Sequence, residues 1–286
     1  MNFTSKINKL VLGTVQFGLE YGVSNTLGKT KITEAFEILN SCRNFKINQL
    51  DTASAYGDSE MILGRLNIDD FKITTKFISK NKINELEQSL NTSLTNLNVK
   101  KIFSFIAHRP IEIIENEQLW NYLNKKKSDN IIENIGISVN TLEELEIFLQ
   151  KGFYPDIVQL PYNFLDRRFE NISINLKKKN IKVYARSPFL QGLFFIDRNR
   201  INNKYSTFKN YLSKFSNKNN NLAATLLNFV LEKKFIDHVV FGVNSKNQLL
   251  ELVSDLKNSN FVHLPEFEKF DDNIITPSEW KELIVN

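Results

Sequence analysis

The chain of 286 residues is 42% apolar and 24% charged, an ordinary globular composition that excludes collagen, coiled coil and wholesale disorder. Its 37 Lys and Arg against 32 Asp and Glu leave a formal charge of +5, which suits an anionic small molecule and is thin for nucleic acid, where a clustered basic face is expected. The single cysteine, Cys42, allows no internal disulfide, so a secreted disulfide scaffold is excluded and a reducing compartment fits.

The opening MNFTSKINKLVLG lacks the apolar run of a secretory leader. The longest apolar patch, Leu222 to Leu231, is interrupted by Thr225 and Asn228 and falls far short of the ~20 residues of a membrane helix. The expectation is a cytoplasmic protein that takes a small molecule, with neither nucleic acid nor membrane as a partner.

In chain order, a β-rich run KLVLGT (9–14) comes first, then a helical pattern on Ile32, Ala35, Phe36 and Leu39, with Cys42 expected as a small, partly buried side chain at its end. INQLDT (47–52) and FKITTK (71–76) follow, then a helix on Leu86, Leu90, Leu94 and Leu97, and the run KIFSFIAH (101–108). After IENIGIS (132–138), Thr141-Leu-Glu-Glu144 reads as a capping box ahead of Leu145, Phe148 and Leu149, with Gly152 closing the helix. DIVQLPY (156–162), IKVYARS (181–187) and DHVVFGV (237–243) complete the strands, and Ser245-Lys-Asn-Gln248 is a second box before Leu249, Leu250 and Val253. The Asn-rich stretch 217–221, in the long gap before the last strand, reads as an exposed loop. The basic runs Lys125–Lys127 and Lys177–Lys179 fall at helix C-termini, where cations complement the dipole.

Several runs are almost continuously apolar, as strands covered on both faces are. Eight of them alternating with helices predict an α/β fold of the (β/α)8 TIM-barrel type over a single domain, 1–286. A doubly wound open sheet is the structural alternative.

A barrel presents its chemistry at the C-terminal ends of the strands. There the second run delivers Asp51 and, in the following DTASAYGDSE, Tyr56; the third delivers Lys76 and the fourth His108. Each has an ordinary reading by itself: Asp51 as a cap, Tyr56 as a rim aromatic, His108 as a hydrogen-bonded loop residue. Lys76 is harder to dismiss, since an inward charge needs a partner. Together they make a proton-handling set. A phenol with a pKa of about 10 is a poor acid at neutral pH; an adjacent ammonium lowers that pKa, and a carboxylate orients the ammonium. Such a set, without a nucleophile or metal cage, suits proton transfer on oxygen while a cofactor moves hydride. His238 and His263 receive no role. No Gly-x-Gly-x-x-Gly follows the first strand, so a Rossmann site is not indicated.

LGTVQFGLEYG, DTASAYGDSEMILG and the strands ending in Lys76 and His108, followed by GIS (136–138), VQLPYN (158–163), RSPFLQG (186–192) and VFGVNSKNQLLE (240–251), resemble the aldo-keto reductase superfamily in order and spacing over nearly the whole chain. The resemblance implies a catalytic tetrad of Asp51, Tyr56, Lys76 and His108, with Tyr56 the general acid. It places Gly13, Thr14 and Asp51 near a nicotinamide ribose, and Ser138 and Gln159 at the carboxamide. Ser187, Phe189 and Gln191 fall to the pyrophosphate, and Gly242 to Gln248, including Asn244 and Ser245, to the adenosine phosphate at a helix N-terminus.

Three positions depart from the family pattern. Arg186 stands where many members stack an aromatic on the nicotinamide, Val139 where many have Asn, and Gln248 where a basic residue often meets a 2′-phosphate. The resemblance implies NADPH over NADH by a modest margin, with Ser245, Lys246 and backbone N–H groups meeting the 2′-phosphate. The expected reaction is NAD(P)H-dependent reduction of an aldehyde or ketone, and the LGTVQFG variant points to a sugar or nucleotide-linked sugar. Alternatives are an aldose- or pyridoxal-type dehydrogenase run in the oxidative direction, and a nicotinamide-binding regulatory subunit. A metal-dependent hydrolase is disfavoured by three scattered histidines.

Overall fold

Runs of Val, Ile and Phe form interior strands when helices cover one face and packed side chains the other. In the computed structural model, which describes residues 1–79, 81–215, 221–259 and 261–285, all eight apolar runs do so. They form β1 (Leu10–Gly13), β2 (Gln49–Asp51), β3 (Lys72–Phe77), β4 (Ile102–Ala107), β5 (Ile132–Ser138), β6 (Ile157–Pro161), β7 (Lys182–Arg186) and β8 (His238–Gly242). Every strand pairs in parallel with the next, and Gly13 of β1 is registered against both Asp51 of β2 and Gly242 of β8. The sheet is therefore a closed barrel, and the open-sheet alternative falls.

Two apolar layers result. Inside the barrel, Val11, Ile157, Tyr184 and Val240 pack together, with the Tyr184 hydroxyl donating to Gln49 Oε1 at 3.1 Å. Outside it, strand residues such as Leu50, Phe105 and Val158 pack under the surrounding helices. The helix Ile83–Leu97 buries Leu86, Leu90 and Leu97 as its pattern predicts.

The helix Ile32–Phe45 exists but is phased differently. Ile32 and Phe36 are exposed, and the buried stripe is Ala35, Ile38, Leu39 and Cys42. Both sets satisfy i, i+3, i+4, i+7; the stripe with the small Ala35 lets the helix sit close. Cys42 is wholly rather than partly buried, and burial pushes its thiol up to about 12. Likewise Leu250 is exposed while Leu249, Leu252 and Val253 are buried.

Helix ends follow the sequence signals. Thr141 Oγ1 accepts from Glu144 N while Glu144 Oε2 accepts from Thr141 N, and Gly152, at φ +79°, follows the helix Leu142–Gln150. Lys125–Lys127 lie in the last turn of Glu117–Ser128, and Lys177 in that of Glu170–Lys178. Each run ties a helix end to the bottom of the barrel. Lys127 pairs with Asp156 at 2.6 Å and Lys177 with Asp237; the same aspartates accept the backbone N–H of Ile135 and Val183.

Of the Asn-rich stretch, 217–220 lie outside the described residues, and Asn221 is buried rather than exposed. A short helix Phe3–Lys9, not expected from the sequence, packs beneath the barrel. Lys9 Nζ there donates to the carbonyls of Leu231, Lys233 and Ile236 just past the helix Leu222–Leu231. A second apolar cluster, with Phe164, Phe194, Phe208, Tyr211 and Trp280, joins the long β7–β8 connection to the C-terminal segment.

Candidate active site

At the C-terminal end of the barrel, β2 and β3 bring a carboxylate and an ammonium together out of water. Lys76 Nζ donates to Asp51 Oδ1 at 2.5 Å and to the Thr52 carbonyl at 2.8 Å. Both side chains are fully buried, and buried charges persist only when paired and hydrogen-bonded. The second carboxylate oxygen, Asp51 Oδ2, accepts from Gln159 Nε2 of β6 at 2.6 Å, across the barrel. Burial alone would lower the Lys76 pKa, but Asp51 and Tyr56 outweigh it and the net direction is upward; the lysine stays charged.

Tyr56 comes from the turn after β2. Its backbone N–H donates to the Ala53 carbonyl, and Gly57 follows at φ +54°. Gly18 is required here by close approach: a Cβ on it would lie 1.7 Å from the Tyr56 carbonyl oxygen. The turn is anchored by Ser59, whose hydroxyl donates to the Thr14 carbonyl at 2.8 Å and accepts from Thr52 Oγ1. Lys76 Nζ then lies 4.9 Å from the Tyr56 ring centroid, and the His108 ring meets Tyr56 edge-on at 6.0 Å. Burial, followed by the charges of Lys76, Arg186 and Arg109, pushes His108 down to about 3. It is therefore a neutral imidazole at pH 7, and its buried Nδ1 has no protein partner.

These four residues open onto a cavity of 630 Å³, within the ~300–1,000 Å³ typical of small-molecule sites. Of the side chains expected at the site, all but those of Ser245 and Lys246 line this cavity. Thr14 does so with its hydroxyl committed, to the Asp51 carbonyl and to Ser59. Arg186 is held at the end of β7 by the Val139 carbonyl and by Asn140 Oδ1, at 3.1 and 2.6 Å. Ser245 instead caps the helix Lys246–Asn258, its Oγ accepting from Gln248 N at 3.3 Å. Gln248 Oε1 turns back to accept from Asn244 N rather than Ser245 N, one residue away from the expected box. Lys246, also expected at the groove, does not line it and pairs with Glu37.

Several lining residues were not anticipated: Gln16, Tyr21, Ser24, Asn140, Glu251 and Asp255. Gln16, Tyr21 and Glu251 sit inside quoted motifs, yet only the path of the chain shows that they face the groove. Tyr21 is pushed up to about 12, by burial first and then by Tyr56, with Arg186 opposing. Its loop arches to the β7 loop, where Val23 N donates to the Gln191 carbonyl at 2.9 Å and Arg200 donates to the Val23 carbonyl. The β7 loop holds Ser187, Leu190 and Gln191 at positive φ, backbone strain of the kind stored at ligand sites.

An eight-stranded barrel with a buried Asp–Lys pair, a tyrosine and a neutral histidine at its C-terminal mouth is a proton-handling site of the oxidoreductase type. The chain belongs to the aldo/keto reductase family, whose model matches residues 9–263. Among solved structures it is similar to the aldo-keto reductase AKR11C1 of Bacillus halodurans in its holo form. The TM-score there is 0.72 at 18% identity, over 97% of this chain and 94% of that one. It is also similar to the protein PA4992 of Pseudomonas aeruginosa, with TM-score 0.67 at 20% identity over 88% and 90% of the two chains. A search of curated proteins finds no match.

Aldo-keto reductases use nicotinamide cofactors, and the groove's own chemistry fits one. Gln159 Oε1, Gln16 Oε1 and Asn244 Nδ2 are buried polar atoms without protein partners along it, and a native protein rarely leaves such groups orphaned. Gly242 makes room for the Gln16 side chain at the groove, since a Cβ there would lie 2.5 Å from Gln16 Nε2.

Proposed function

We propose that this chain reduces the carbonyl of an aldehyde or ketone, with Tyr56 as general acid. When bound, a reduced nicotinamide supplies the hydride; the chain's own residues position the carbonyl and handle the proton. The observation that carries the reading is the buried Asp51–Lys76 pair set against the Tyr56 ring. Lys76, held charged by Asp51, lies against the Tyr56 ring, where its charge faces the negative charge that develops on the phenol oxygen as the proton leaves. Neutral His108 can hydrogen-bond the carbonyl oxygen without competing as an acid. Gln159, tied to Asp51 through Nε2, keeps Oε1 free to accept from a carboxamide. Ser138, at the end of the adjacent β5, faces the same cavity.

Arg186 weighs against the reductive direction on the enzyme, because hydride donation leaves the nicotinamide cationic. A guanidinium beside the nicotinamide is harder on the cationic oxidised ring than on the neutral reduced one. The sugar or nucleotide-sugar substrate implied by the LGTVQFG variant belongs to this reading, as does a cytoplasmic setting; among the described residues no helix is long and apolar enough to cross a membrane. The test is a screen of NADH and NADPH oxidation over aldehydes, ketones and keto-sugars, with turnover of the matching alcohols measured in the reverse direction at neutral and alkaline pH. Reduction that outpaces oxidation at neutral pH supports the reading. Cofactor that binds but is reoxidised by no carbonyl compound would favour the regulatory-subunit alternative instead.

A further inference from the structure

A 2′-phosphate on the adenosine ribose is a dianion that needs cations and free N–H donors where it lands. The resemblance assigns that place to the turn after β8 and the first residues of the helix Lys246–Asn258. There the protein has already supplied its own anions. Glu34 Oε1, from the helix Ile32–Phe45 packed alongside, accepts the backbone N–H of Lys246 at 2.6 Å. Glu37, one turn further on, takes the Lys246 ammonium at 2.7 Å. Ser245 Oγ and Gln248 Oε1 accept the N–H groups of Gln248 and Asn244. The N–H groups of Asn244, Lys246 and Gln248, three of those a ligand anion would seek at a helix N-terminus, are thus already given to protein oxygens.

The groove side of the same helix is acidic as well. Gln248, Glu251 and Asp255 line it at successive turns, and neither Ser245 nor Lys246 does. Asp255 is half-buried, and burial pushes its carboxyl above the usual carboxylate range. Around the Lys246 ammonium and this face of the helix stand four carboxylates, those of Glu34, Glu37, Glu251 and Asp255. A carboxylate accepts well from a ribose diol and repels a phosphate, the discrimination that an acidic residue gives in other dinucleotide sites. Asn244 Nδ2, buried and without a protein partner, is a neutral donor that serves a hydroxyl or a phosphate equally.

We propose that the adenosine end of this groove selects the dinucleotide with a free 2′-hydroxyl, NADH over NADPH, because Glu34 takes a helix N-terminal N–H that a 2′-phosphate would need and Glu37 takes the Lys246 ammonium. The inference rests on the nicotinamide reading and reverses the cofactor preference that the resemblance implies. Lys246 matters here as a cation withdrawn from the groove, and Gln248 as a side chain committed to its own turn.

The test is calorimetric titration of the purified chain with NADH and with NADPH, without substrate. It is repeated on Glu34→Gln/Glu37→Gln and on Asp255→Asn, each checked for folding by circular dichroism. The wild type is expected to bind NADH at least about 10-fold more tightly, the order of one charge-assisted hydrogen bond gained or lost. The double variant is expected to close most of that gap by tightening NADPH alone, and Asp255→Asn to close part of it. If the double variant does not fold, the wild-type ratio and Asp255→Asn carry the decision. Tighter NADPH binding by the wild type, or a ratio unmoved by either variant, overturns the proposal and leaves the reductase reading standing. Binding of neither dinucleotide overturns both.

Discussion

Lys76 is the residue on which the site turns, because it is both a structural and a chemical partner. Lys76→Met leaves the buried Asp51 carboxyl with only Gln159 and no cation to face it. Breaking a buried pair on one side costs ~3–5 kcal/mol, and the general-acid contribution at stake is ~10²–10⁴-fold. Chemical denaturation and steady-state turnover are expected to show both losses; a variant as stable and active as the wild type would remove the ammonium from the account. At this scale the sequence was informative for Asp51, Tyr56, Lys76 and His108, since strand ends of a barrel point to one mouth. It was silent on Asp255, whose meaning depends on which face of a helix meets the groove. It misplaced Ser245 and Lys246, because their partners Glu34 and Glu37 are remote in sequence and adjacent only through helix packing.

Elements position these residues through a few close approaches. The loop after β1 meets the turn after β2 where Gly18 lies against the Tyr56 carbonyl, leaving no room for a side chain. Gly18→Ala is expected to push the two loops apart, destabilising the chain by ~1–3 kcal/mol and cutting turnover further than dinucleotide affinity, since Tyr56 moves while most of the groove does not. Thermal unfolding together with separate kcat and Kd measurements checks this; an unchanged kcat would show that Tyr56 tolerates the displacement. The strands were fully legible because covered β-runs stay apolar over their whole length. The phase of the helix Ile32–Phe45 was not, since Ile32/Phe36 and Ala35/Ile38 fit the same periodic template and only neighbours decide between them. The helix Phe3–Lys9 gave no signal either: its Lys9 is anchored by three carbonyls near the far end of the chain.

For the whole molecule, two half-buried histidines tie stability to pH. His108 is held down at about 3, by burial first and then by Lys76. His238 is held at about 4, again by burial first, with Asp237 opposing. Both native values lie below the unfolded value of about 6.5, so the unfolded chain binds more protons and stability rises with pH. The stabilisation is present above about pH 6.5 and is lost as pH falls toward 4, with an uptake of about two protons on unfolding near pH 5. Denaturant midpoints between pH 7 and pH 4.5 are expected to fall, and His108→Gln to flatten part of the slope; a flat wild-type profile would mean that the histidines ionise freely in the native barrel. The barrel thus carries its catalytic mouth at one end, its Lys–Asp clamps at the other, and neutral imidazoles within. In the proposed reaction Tyr56 delivers the proton. The most direct measurement is single-turnover oxidation of bound reduced dinucleotide on mixing with a carbonyl substrate, comparing the wild type with Tyr56→Phe. The account predicts a rate ~10²–10⁴-fold lower in the variant with the dinucleotide Kd nearly unchanged; oxidation at close to the wild-type rate would contradict it.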